Sequence, residues 1–253
     1  MLIAISGLTT EEGWLNCLSR KRGSAGAGKD EAAKQLVVKH GFVPMSFADP
    51  LKRILQDVFD FTDDQLWGPS ENRNKGDSRY PRTYHGSRLV DTLPDGSTVQ
   101  ACLTPRLALQ TLGDGWGRNE CYENIWAEYA TRAANKIASG KYGYDQKRGL
   151  YEYGAPFLPK RIGEPPTNVV ITDLRYQNEA EAVRQAGGKL VRIKRKVKKL
   201  KVAPTHKSEN DLLGLHDDDF DWVLNNKSTL EDLWGQVDSM MNELTSHVTF
   251  RLG

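Results

Sequence analysis

Apolar positions along the chain fall into two patterns, short continuous runs and helical spacings. The continuous runs predict strands at LIAIS, FVPMSFA, NVVITD, KLVRIKR and FDWVLNN. Residues that recur every three to four positions predict helices over 29–41, 49–60, 104–113, 123–139, 179–188 and 228–241. The β-branched centre of NVVITD is typical of a strand buried on both faces of a parallel sheet. Five strands separated by helices predict an α/β fold with a parallel sheet and right-handed crossovers.

The bulk properties of the chain narrow the class of protein. With 253 residues, 38% of them hydrophobic and 27% charged, the chain has the size and polarity of a globular enzyme with one core. No apolar run approaches the roughly 18 residues that span a membrane, and the N-terminus lacks the pattern of a signal peptide. We therefore expect a single domain over 1–253 that is located in the cytoplasm.

The stretch GSAGAGKD, residues 23–30, matches the pattern G-x-x-x-x-G-K of phosphate-binding loops and opens a predicted helix. Its glycines let backbone N–H groups converge on a phosphate, the helix N-terminus favours an anion, and Lys29 reaches the outer phosphates. Asp30 stands where Ser or Thr is usual, and its carboxylate can hold Mg²⁺ directly or through water. The alternative is a glycine-rich turn with a solvated lysine. Because a strand precedes the loop and a helix follows it, we favour nucleotide binding.

Sixteen residues, 8–23, separate the first strand from this loop, although the two normally adjoin. Joining MLIAISG to SAGAGKDEAA restores an uninterrupted strand, loop and helix, so we interpret 8–23 as an insertion in the phosphate loop. We expect it to leave and re-enter at nearly one point, bulging from the carboxyl edge of the sheet, at a modest entropic cost. Because the bulge would overhang the nucleotide, we expect its deletion to strengthen ATP binding and to speed turnover. The alternative is a disordered loop without functional effect.

A second group of candidate residues follows the NVVITD strand. Asp173 ends that strand and places a carboxylate at the carboxyl edge of the sheet, beside the phosphate loop. Arg175 follows two residues later, where its guanidinium can bind a phosphoryl oxygen in a bidentate manner, and Glu179 lies one helical turn further on. The alternative is that Asp173 is a helix N-cap beside a surface Arg–Glu pair. In a chain that also carries a phosphate loop, we favour the catalytic interpretation.

The third feature is a basic run, VRIKRKVKKLKVAPTHKSE, in which residues 192–201 include seven lysines and arginines. Such a run is typical of a solvated face or of an arm that binds nucleic acid. It follows the fourth predicted strand, where small-molecule kinases carry a mobile lid that closes cationic side chains over the transferring phosphate. We therefore predict a lid over 194–210 and favour it over nucleic-acid binding.

These motifs occur in order with several others: SAGAGKDEAA, SFADPLKRIL, QLWGPSENRN, LTPRLALQTLGDGWGR, ITDLRYQNEAEAVRQAGG, THKSE and VLNNKSTLEDL. Together they resemble the bacteriophage deoxynucleoside monophosphate kinases, within the P-loop nucleoside monophosphate kinase superfamily. The resemblance covers most of 24–235 and the first strand, whereas 83–101 and 140–165 contribute little and 8–23 contributes nothing. It implies a three-layer α/β fold of the P-loop kinase type, with a five-stranded parallel sheet, a helical substrate-binding region at 49–165 and a short lid.

The resemblance implies transfer of the γ-phosphate of ATP to a deoxynucleoside 5′-monophosphate, with Mg²⁺ as cofactor, in nucleotide biosynthesis for phage DNA replication. It implies ATP binding by Ser24, Ala25, Gly26, Ala27, Gly28, Lys29, Asp30, Glu31, Asn226 and Thr229, with Asp30 and Asp173 as metal ligands. It implies substrate binding by Asp49, Lys52, Arg73, Gln110, Arg118, Trp126 and Glu179, with catalytic roles for Lys29, Asp173, Arg175 and Arg106. Asp30, unusual among phosphate loops in general, is typical of this family. The reaction needs no general base, because the acceptor phosphate is already an anion at neutral pH.

Several alternatives stay open. Arg73, Arg106 and Arg118 can each be interpreted as a surface charge. Trp126, on an amphipathic helix, can be interpreted as a core residue rather than as one that stacks on a base. At the level of function, the alternatives are another small-metabolite P-loop kinase such as a dephospho-coenzyme A kinase, a nucleic-acid-binding protein, and an inactive relic of a kinase. We expect no membrane partner, place the protein in the host-cell cytoplasm if it is of phage origin, and leave homodimer formation open.

Overall fold

The computed structural model describes residues 1–11, 22–23, 26–154, 168–197 and 215–249. They belong to two compact units, the first made of Met1–Phe47 and Ala127–Gly253 and the second of Ala48–Trp126. Four predictions fall partly outside the described residues: Ser24 and Ala25 of the phosphate loop, positions 12–21 of the insertion, positions 155–165 of the substrate-binding region and positions 198–210 of the lid. None of the helices in the described ranges combines the length and the apolar composition that crossing a membrane needs.

Helices and strands occur in both units. In chain order, the described strands are β1 (Leu2–Glu11), β2 (Arg22–Gly23), β3 (Val43–Met45), β4 (Asp77–Pro81), β5 (Thr83–Tyr84), β6 (Ser87–Arg88), β7 (Val90–Thr92), β8 (Thr98–Gln100), β9 (Cys102–Leu103), β10 (Tyr142–Asp145), β11 (Gly149–Glu152), β12 (Val169–Ile171), β13 (Lys189–Val197) and β14 (Trp222–Asn225). The described α-helices are α1 (Lys29–His40), α2 (Asp49–Phe59), α3 (Asp63–Leu66), α4 (Pro105–Gln110), α5 (Ile125–Ala138), α6 (Gln177–Gln185) and α7 (Leu230–Thr249). A π-helix spans Thr111–Cys121, and short 3₁₀-helices span Asn72–Asn74 and Asp217–Asp219.

The first unit is built on a central sheet whose five main strands are all parallel, in the order β14-β13-β1-β12-β3. The short β2 is added to it by antiparallel pairing with β1. Each of the five parallel strands overlaps one of the five apolar runs of the sequence. The predicted α/β class with a five-stranded parallel sheet is therefore confirmed.

Both faces of this sheet are covered by helices. Along β1, Leu2 and Ala4 pack with buried residues of α5 and α6, whereas Ile3 and Ile5 pack with buried residues of α1 and α7. This alternation follows from the two-residue period of a strand, and burial on both sides explains why the strand sequences are continuously apolar. The described helices cover the faces of the sheet but not the carboxyl ends of its strands. Asp173 and Asn226 follow the carboxyl ends of β12 and β14.

β1 is longer than the sequence predicted. The apolar run predicted a strand over LIAIS, whereas β1 continues through Leu8 and Thr9 to Glu11 and pairs with β13 as far as its last residue. The extension is favoured because only 9% of the surface of Leu8 and 2% of that of Thr9 are exposed, and because threonine favours extended backbone. β2 then runs antiparallel to β1, with Gly23 opposite Thr9. The described ends of the insertion are therefore neighbouring strands of the sheet.

The second unit contains more regular structure than the sequence predicted. Over 62–103, where the sequence analysis predicts no helix or strand, lie α3 and three antiparallel pairs, β4 with β9, β5 with β6, and β7 with β8. β5 and β6 are joined by His85 and Gly86, whose φ angles of 47° and 80° suit a two-residue hairpin turn. These strands are too short and too exposed for a hydrophobic period to reveal them. The sequence did carry a turn signal, the pair Asp95 and Gly96 between β7 and β8.

α4 continues directly into the π-helix. Thr104 caps α4, because its side chain accepts a hydrogen bond from the N–H of Leu107 at 3.1 Å. Where the sequence predicts an end at Gly113, the chain goes on with wider hydrogen bonding, as the N–H of Tyr122 donates to the carbonyl of Gly117 at 2.9 Å. Such segments are uncommon and are frequent at functional sites.

Candidate functional site

The described part of the phosphate loop, Gly26 to Gly28, is a tight turn between the sheet and α1. Gly26 and Gly28 have positive φ angles of 72° and 102°, a backbone region that glycine adopts without strain. Ala27 between them is fully buried. A Cβ atom at Gly28 would lie 2.5 Å from Nδ2 of Asn226. Both this close approach and the positive φ angle exclude a larger residue at position 28. Gly26 and Gly28 thus each have a physical reason in this loop.

Two strands of the sheet hold this turn by its carbonyl oxygens. Nδ2 of Asn226, directly after β14, donates to the carbonyl of Ala27 at 3.0 Å. Nη1 of Arg195, on β13, donates to the carbonyl of Gly26 at 3.1 Å. The backbone N–H of Asn226 in turn donates to the carbonyl of Lys194 at 2.8 Å, which joins the two supporting strands. Because these contacts use carbonyl oxygens of the loop, they do not occupy the N–H groups that an anion requires.

Lys29, Asp30 and Glu31 form the first turn of α1. Lys29 is half-buried at the first position of the helix, and Asp30 is exposed next to it. The helix N-terminus carries a partial positive charge that favours anions. The carboxylates of Asp30 and Glu31 lie in the first turn and stabilise the helix by interacting with this charge. The turn therefore combines an ammonium group, a carboxylate and a helix N-terminus directly after the glycine turn.

Asp173 lies at the carboxyl edge of the sheet, two residues beyond β12. Its Oδ2 accepts a hydrogen bond from Oγ of Ser46 at 2.5 Å and its Oδ1 accepts one from the N–H of Phe47 at 2.8 Å. The following N–H, of Leu174, donates to the carbonyl of Ile5 on β1 at 3.2 Å. Asp173 is therefore positioned where β12 lies between β1 and β3, and it links the ends of β12 and β3. Sequence reasoning missed Ser46, whose signal was a polar residue at the end of an apolar strand.

α6 begins later than the alternative interpretation of Asp173 required. Its N-cap is Tyr176, and Oε2 of Glu179 accepts hydrogen bonds from the N–H groups of Arg175 and Tyr176 at 2.9 and 3.1 Å. Only 2% of the surface of Glu179 is exposed. Glu179 thus holds the backbone that carries Arg175, and its contact with a substrate stays a prediction.

The donor atoms in the first unit fit a Mg²⁺ ion that arrives with a nucleotide. Asp30 and Asp173 supply carboxylate oxygens, the donors that this hard cation prefers. Within the described residues, no group of three or more His, Cys, Asp or Glu side chains is arranged to hold a metal by protein ligands alone. Mg²⁺ is commonly bound by one or two carboxylates together with substrate phosphates and water, and such a site does not require a third protein ligand.

The stretch after β14 has two structural functions. Asn226 supports the phosphate loop, as described above, and Thr229 caps α7 by accepting a hydrogen bond from the N–H of Asp232 at 3.3 Å. Oγ of Ser228 donates to the carboxylate of the same Asp232. Contact of Asn226 and Thr229 with the adenine of ATP stays a prediction.

Within the second unit, two of the predicted phosphate-binding arginines bind neighbouring groups. Nη1 of Arg73 donates to the carbonyls of Leu66 and Gly68 at 3.2 and 3.0 Å, which caps the end of α3. Nη1 of Arg118, on the π-helix, pairs with Oδ1 of Asp114 at 2.7 Å, and 13% of the Arg118 side chain is exposed. A guanidinium carries five N–H donors and can contact more than one group, and phosphate binding by Arg73 and Arg118 stays a prediction.

The third arginine, Arg106, joins the start of α4 to the chain segment before β4. Its Nη2 donates to Oγ of Ser70 at 2.8 Å and its Nε donates to Oδ1 of Asn74. Gln110, which ends α4, is half-buried. Both Ser70 and Asn74 belong to the stretch QLWGPSENRN, so two of the family-like motifs meet at Arg106.

The other substrate-binding candidates of the second unit lie deeper. Asp49 begins α2 and is fully buried. Nζ of Lys52 lies 5.6 Å from the centre of the Trp67 ring, a cation–π distance. Trp126 is 4% exposed, and its Nε1 donates to the carbonyl of Gly113 at 2.9 Å. This is the environment of a core residue, the alternative that the sequence left open, and stacking of Trp126 on a base stays a prediction.

Comparison with known proteins adds one relative. No protein-family model matches the chain. Over 220 residues the chain is 28% identical to a protein of Acanthamoeba polyphaga mimivirus named "Putative deoxynucleotide monophosphate kinase". The match covers 87% of this chain and 93% of the viral protein. Likeness over nearly the full length of both chains supports a nucleotide kinase.

Proposed function

We propose that the chain is a deoxynucleoside monophosphate kinase. It transfers the γ-phosphate of ATP to the 5′-phosphate of a deoxynucleotide and releases a deoxynucleoside diphosphate and ADP. The observation that carries the proposal is the turn Gly26–Gly28, held by Arg195 and Asn226 directly before Lys29. This is the arrangement that a triphosphate requires, and the name of the viral relative supports a deoxynucleotide as acceptor.

The proposed chemistry needs positioning and charge neutralisation rather than a general base. An oxygen of the acceptor phosphate attacks the γ-phosphorus, and the bond from that phosphorus to the β–γ bridging oxygen breaks, leaving the electron pair on ADP. Lys29 and the N–H groups of the loop neutralise charge on the ATP phosphates. Arg175 follows Asp173 at the same edge and supplies a further cation. Asp30 and Asp173 would hold Mg²⁺, which would supply further charge neutralisation at the phosphates.

The acceptor phosphate is assigned to the arginines of the second unit. Arg106 and Arg118 are the main candidates, with Arg73 as the third. Arginine suits this function because its planar guanidinium binds phosphate in a bidentate manner and stays charged at every relevant pH. Each of the three is held by neighbouring groups, which reduces the entropy lost on binding.

The described part of the basic run gives little support to a nucleic-acid arm. Only 3% of Arg192 is exposed, and it pairs with Asp217, as Lys194 also does. Arg195 contacts the phosphate loop. Cations held in this way cannot all face a phosphate backbone, so a kinase explains these positions better than nucleic-acid binding.

The test is a coupled assay of ADP release with each of the four deoxynucleoside monophosphates, their ribose counterparts and dephospho-coenzyme A. Turnover with at least one deoxynucleotide, lost in the Lys29→Ala variant, supports the proposal. Turnover with dephospho-coenzyme A alone would assign the chain to another kinase class. ATP binding without turnover on any acceptor would indicate an inactive relic.

A further inference from the structure

The basic residues of β13 divide between the two faces of the strand. Arg192 and Lys194 lie on one face, where Nη1 of Arg192 and Nζ of Lys194 pair with the carboxylate of Asp217 at 3.2 and 2.5 Å. Arg195 lies on the other face, because successive strand residues alternate, and its guanidinium reaches the carbonyl of Gly26. Arg195 is thus the member of the run whose described contact is with the phosphate loop.

The backbone position of Arg195 depends on the inserted segment. In the sheet register, Leu8 lies opposite Lys194 and Thr9 lies opposite Arg195. On the other side of β13, pairing with β14 ends at Lys194, opposite Asn225. The end of β1, with the buried Thr9 opposite Arg195, is therefore the strand that keeps this part of β13 in the sheet.

A chain without the insertion would lack this partner. The strand would leave the sheet at Gly7, which lies opposite Ile193, two residues before Arg195. The end of β13 would then lack the hydrogen bonds of its β1 neighbour, and the guanidinium would lose its fixed approach to Gly26.

We propose that Arg195 is a positioning residue for the phosphate loop and that inserted residues 8–11 hold it in place. The inference rests on the proposed function only for its effect on ATP; the contact itself is independent of any reaction. A guanidinium that donates to a loop carbonyl restricts the turn Gly26–Gly28 before a nucleotide binds, and this preorganisation lowers the cost of ATP binding. The insertion then supports the site, which is the opposite of the obstruction that the sequence led us to expect.

The direct test is hydrogen exchange of the nucleotide-free protein, measured by mass spectrometry on peptides that cover residues 26–36. Arg195→Ala should speed exchange at the start of this stretch, whereas Lys196→Ala, which removes the same charge from the opposite face of β13, should not. Arg195→Lys should restore part of the protection. Unchanged exchange in Arg195→Ala, or equal acceleration in Lys196→Ala, would overturn the proposal.

The dependence on the insertion is tested with a shortened chain in which Gly7 is joined to Ser24. Its phosphate loop should exchange faster than that of the full chain, and Arg195→Ala should have little further effect in this background, as a double-mutant cycle requires for coupled groups. Additive effects of the deletion and the substitution would overturn the role of residues 8–11. If the shortened chain does not fold, Thr9→Pro in the full chain replaces it, because proline disrupts the backbone pairing of β1 with β13, and the same comparison is made.

The consequence for ATP is measured separately. Arg195→Ala should raise the Kd and the KM for ATP about threefold to tenfold and leave kcat nearly unchanged, because the contact supports binding in the ground state and the transition state alike. A lower kcat at unchanged KM would contradict positioning. If the full chain turned over no deoxynucleotide while the exchange result held, the proposed function would fail and the positioning of the loop would stand.

Discussion

Oγ of Ser46 donates a hydrogen bond to Oδ2 of Asp173 at 2.5 Å, while the next residue, Phe47, donates its N–H to Oδ1 at 2.8 Å. Both oxygens of the carboxylate are thereby oriented by the end of a neighbouring strand. A carboxylate held in this way has a fixed position and orientation at the edge of the sheet. A metal ligand next to a triphosphate would require such a fixed orientation. The same contacts also give Asp173 a structural function, and the proposed metal-binding role can be separated from it by substitution.

Asp173→Asn should lower kcat about 10- to 100-fold with only a small change in Tm, because the amide keeps an acceptor for Phe47 but loses the charge that a metal ion needs. Ser46→Ala should do the reverse, lowering the stability by about 1 kcal/mol through a lost buried hydrogen bond while turnover falls little. Turnover and thermal unfolding of both variants are compared. Near-native turnover of Asp173→Asn, together with a large loss of stability, would leave Asp173 a purely structural residue.

Lys29→Ala should strongly lower the rate of phosphoryl transfer and leave the fold intact. Removal of one cation that contacts the transferring group is expected to lower kcat about 10²- to 10³-fold. The matched control is Lys34→Ala, which removes the same charge from an exposed position of the same helix. Rates are measured under saturating ATP, with circular dichroism as the check on folding. A Lys29→Ala variant as active as the Lys34→Ala control would refute the phosphate-loop assignment.

The parallel sheet and the glycine turn before α1 were predictable because their determinants are local. Buried parallel strands are continuous apolar runs, and α1 ends at Gly41, whose φ of 68° is a conformation that glycine adopts most easily. The positive φ angles of Gly26 and Gly28 follow the sequence motif in the same way.

Contacts between residues far apart in the chain were not predictable, because tertiary packing decides them. No local pattern shows that Thr9 lies opposite Arg195, or that Ser46 meets Asp173. The apolar pattern also predicted too short a first strand. Thr9 is polar and therefore does not continue the apolar run, but the folded structure buries it. In the second unit, the short exposed pairs depend on turns rather than on a hydrophobic period.

Gly117→Ala should destabilise the protein, because a Cβ atom at this position would lie 2.6 Å from Cζ2 of Trp126. Overpacking of this kind costs about 1–3 kcal/mol. Gly115→Ala, two residues earlier in the π-helix, is the matched control, since its Cβ atom would come no closer than 3.8 Å to Cγ2 of Thr111. Urea unfolding of the two variants measures the difference. Equal stability of both would mean that the indole ring is free to move away from the π-helix.

Asp238 joins α1 to α7, and we expect it to contribute to the acid stability of the first unit. Asp238 on α7 accepts hydrogen bonds from Gln35, Lys39 and His40 of α1, at 2.7 Å from each of the latter two. Burial raises the pKa of Asp238. The hydrogen bonds from Lys39, His40 and Gln35 lower this pKa by more than burial raises it, and the net pKa is about 2. A carboxyl group whose pKa is lower in the folded than in the unfolded state, where it is about 3.9, stabilises the fold fully above the unfolded value. That contribution disappears as the pH falls from about 4 to about 2, when the folded carboxylate takes up its proton.

We therefore expect the free energy of unfolding of the wild-type chain to fall more steeply over this window than that of Asp238→Asn, which should already be less stable at pH 7. Glu181→Gln, an exposed position on α6 of the same unit, is the control and should follow the wild-type curve. Parallel curves for the wild type and Asp238→Asn between pH 4 and pH 2 would show that this contact between α1 and α7 does not contribute to acid unfolding.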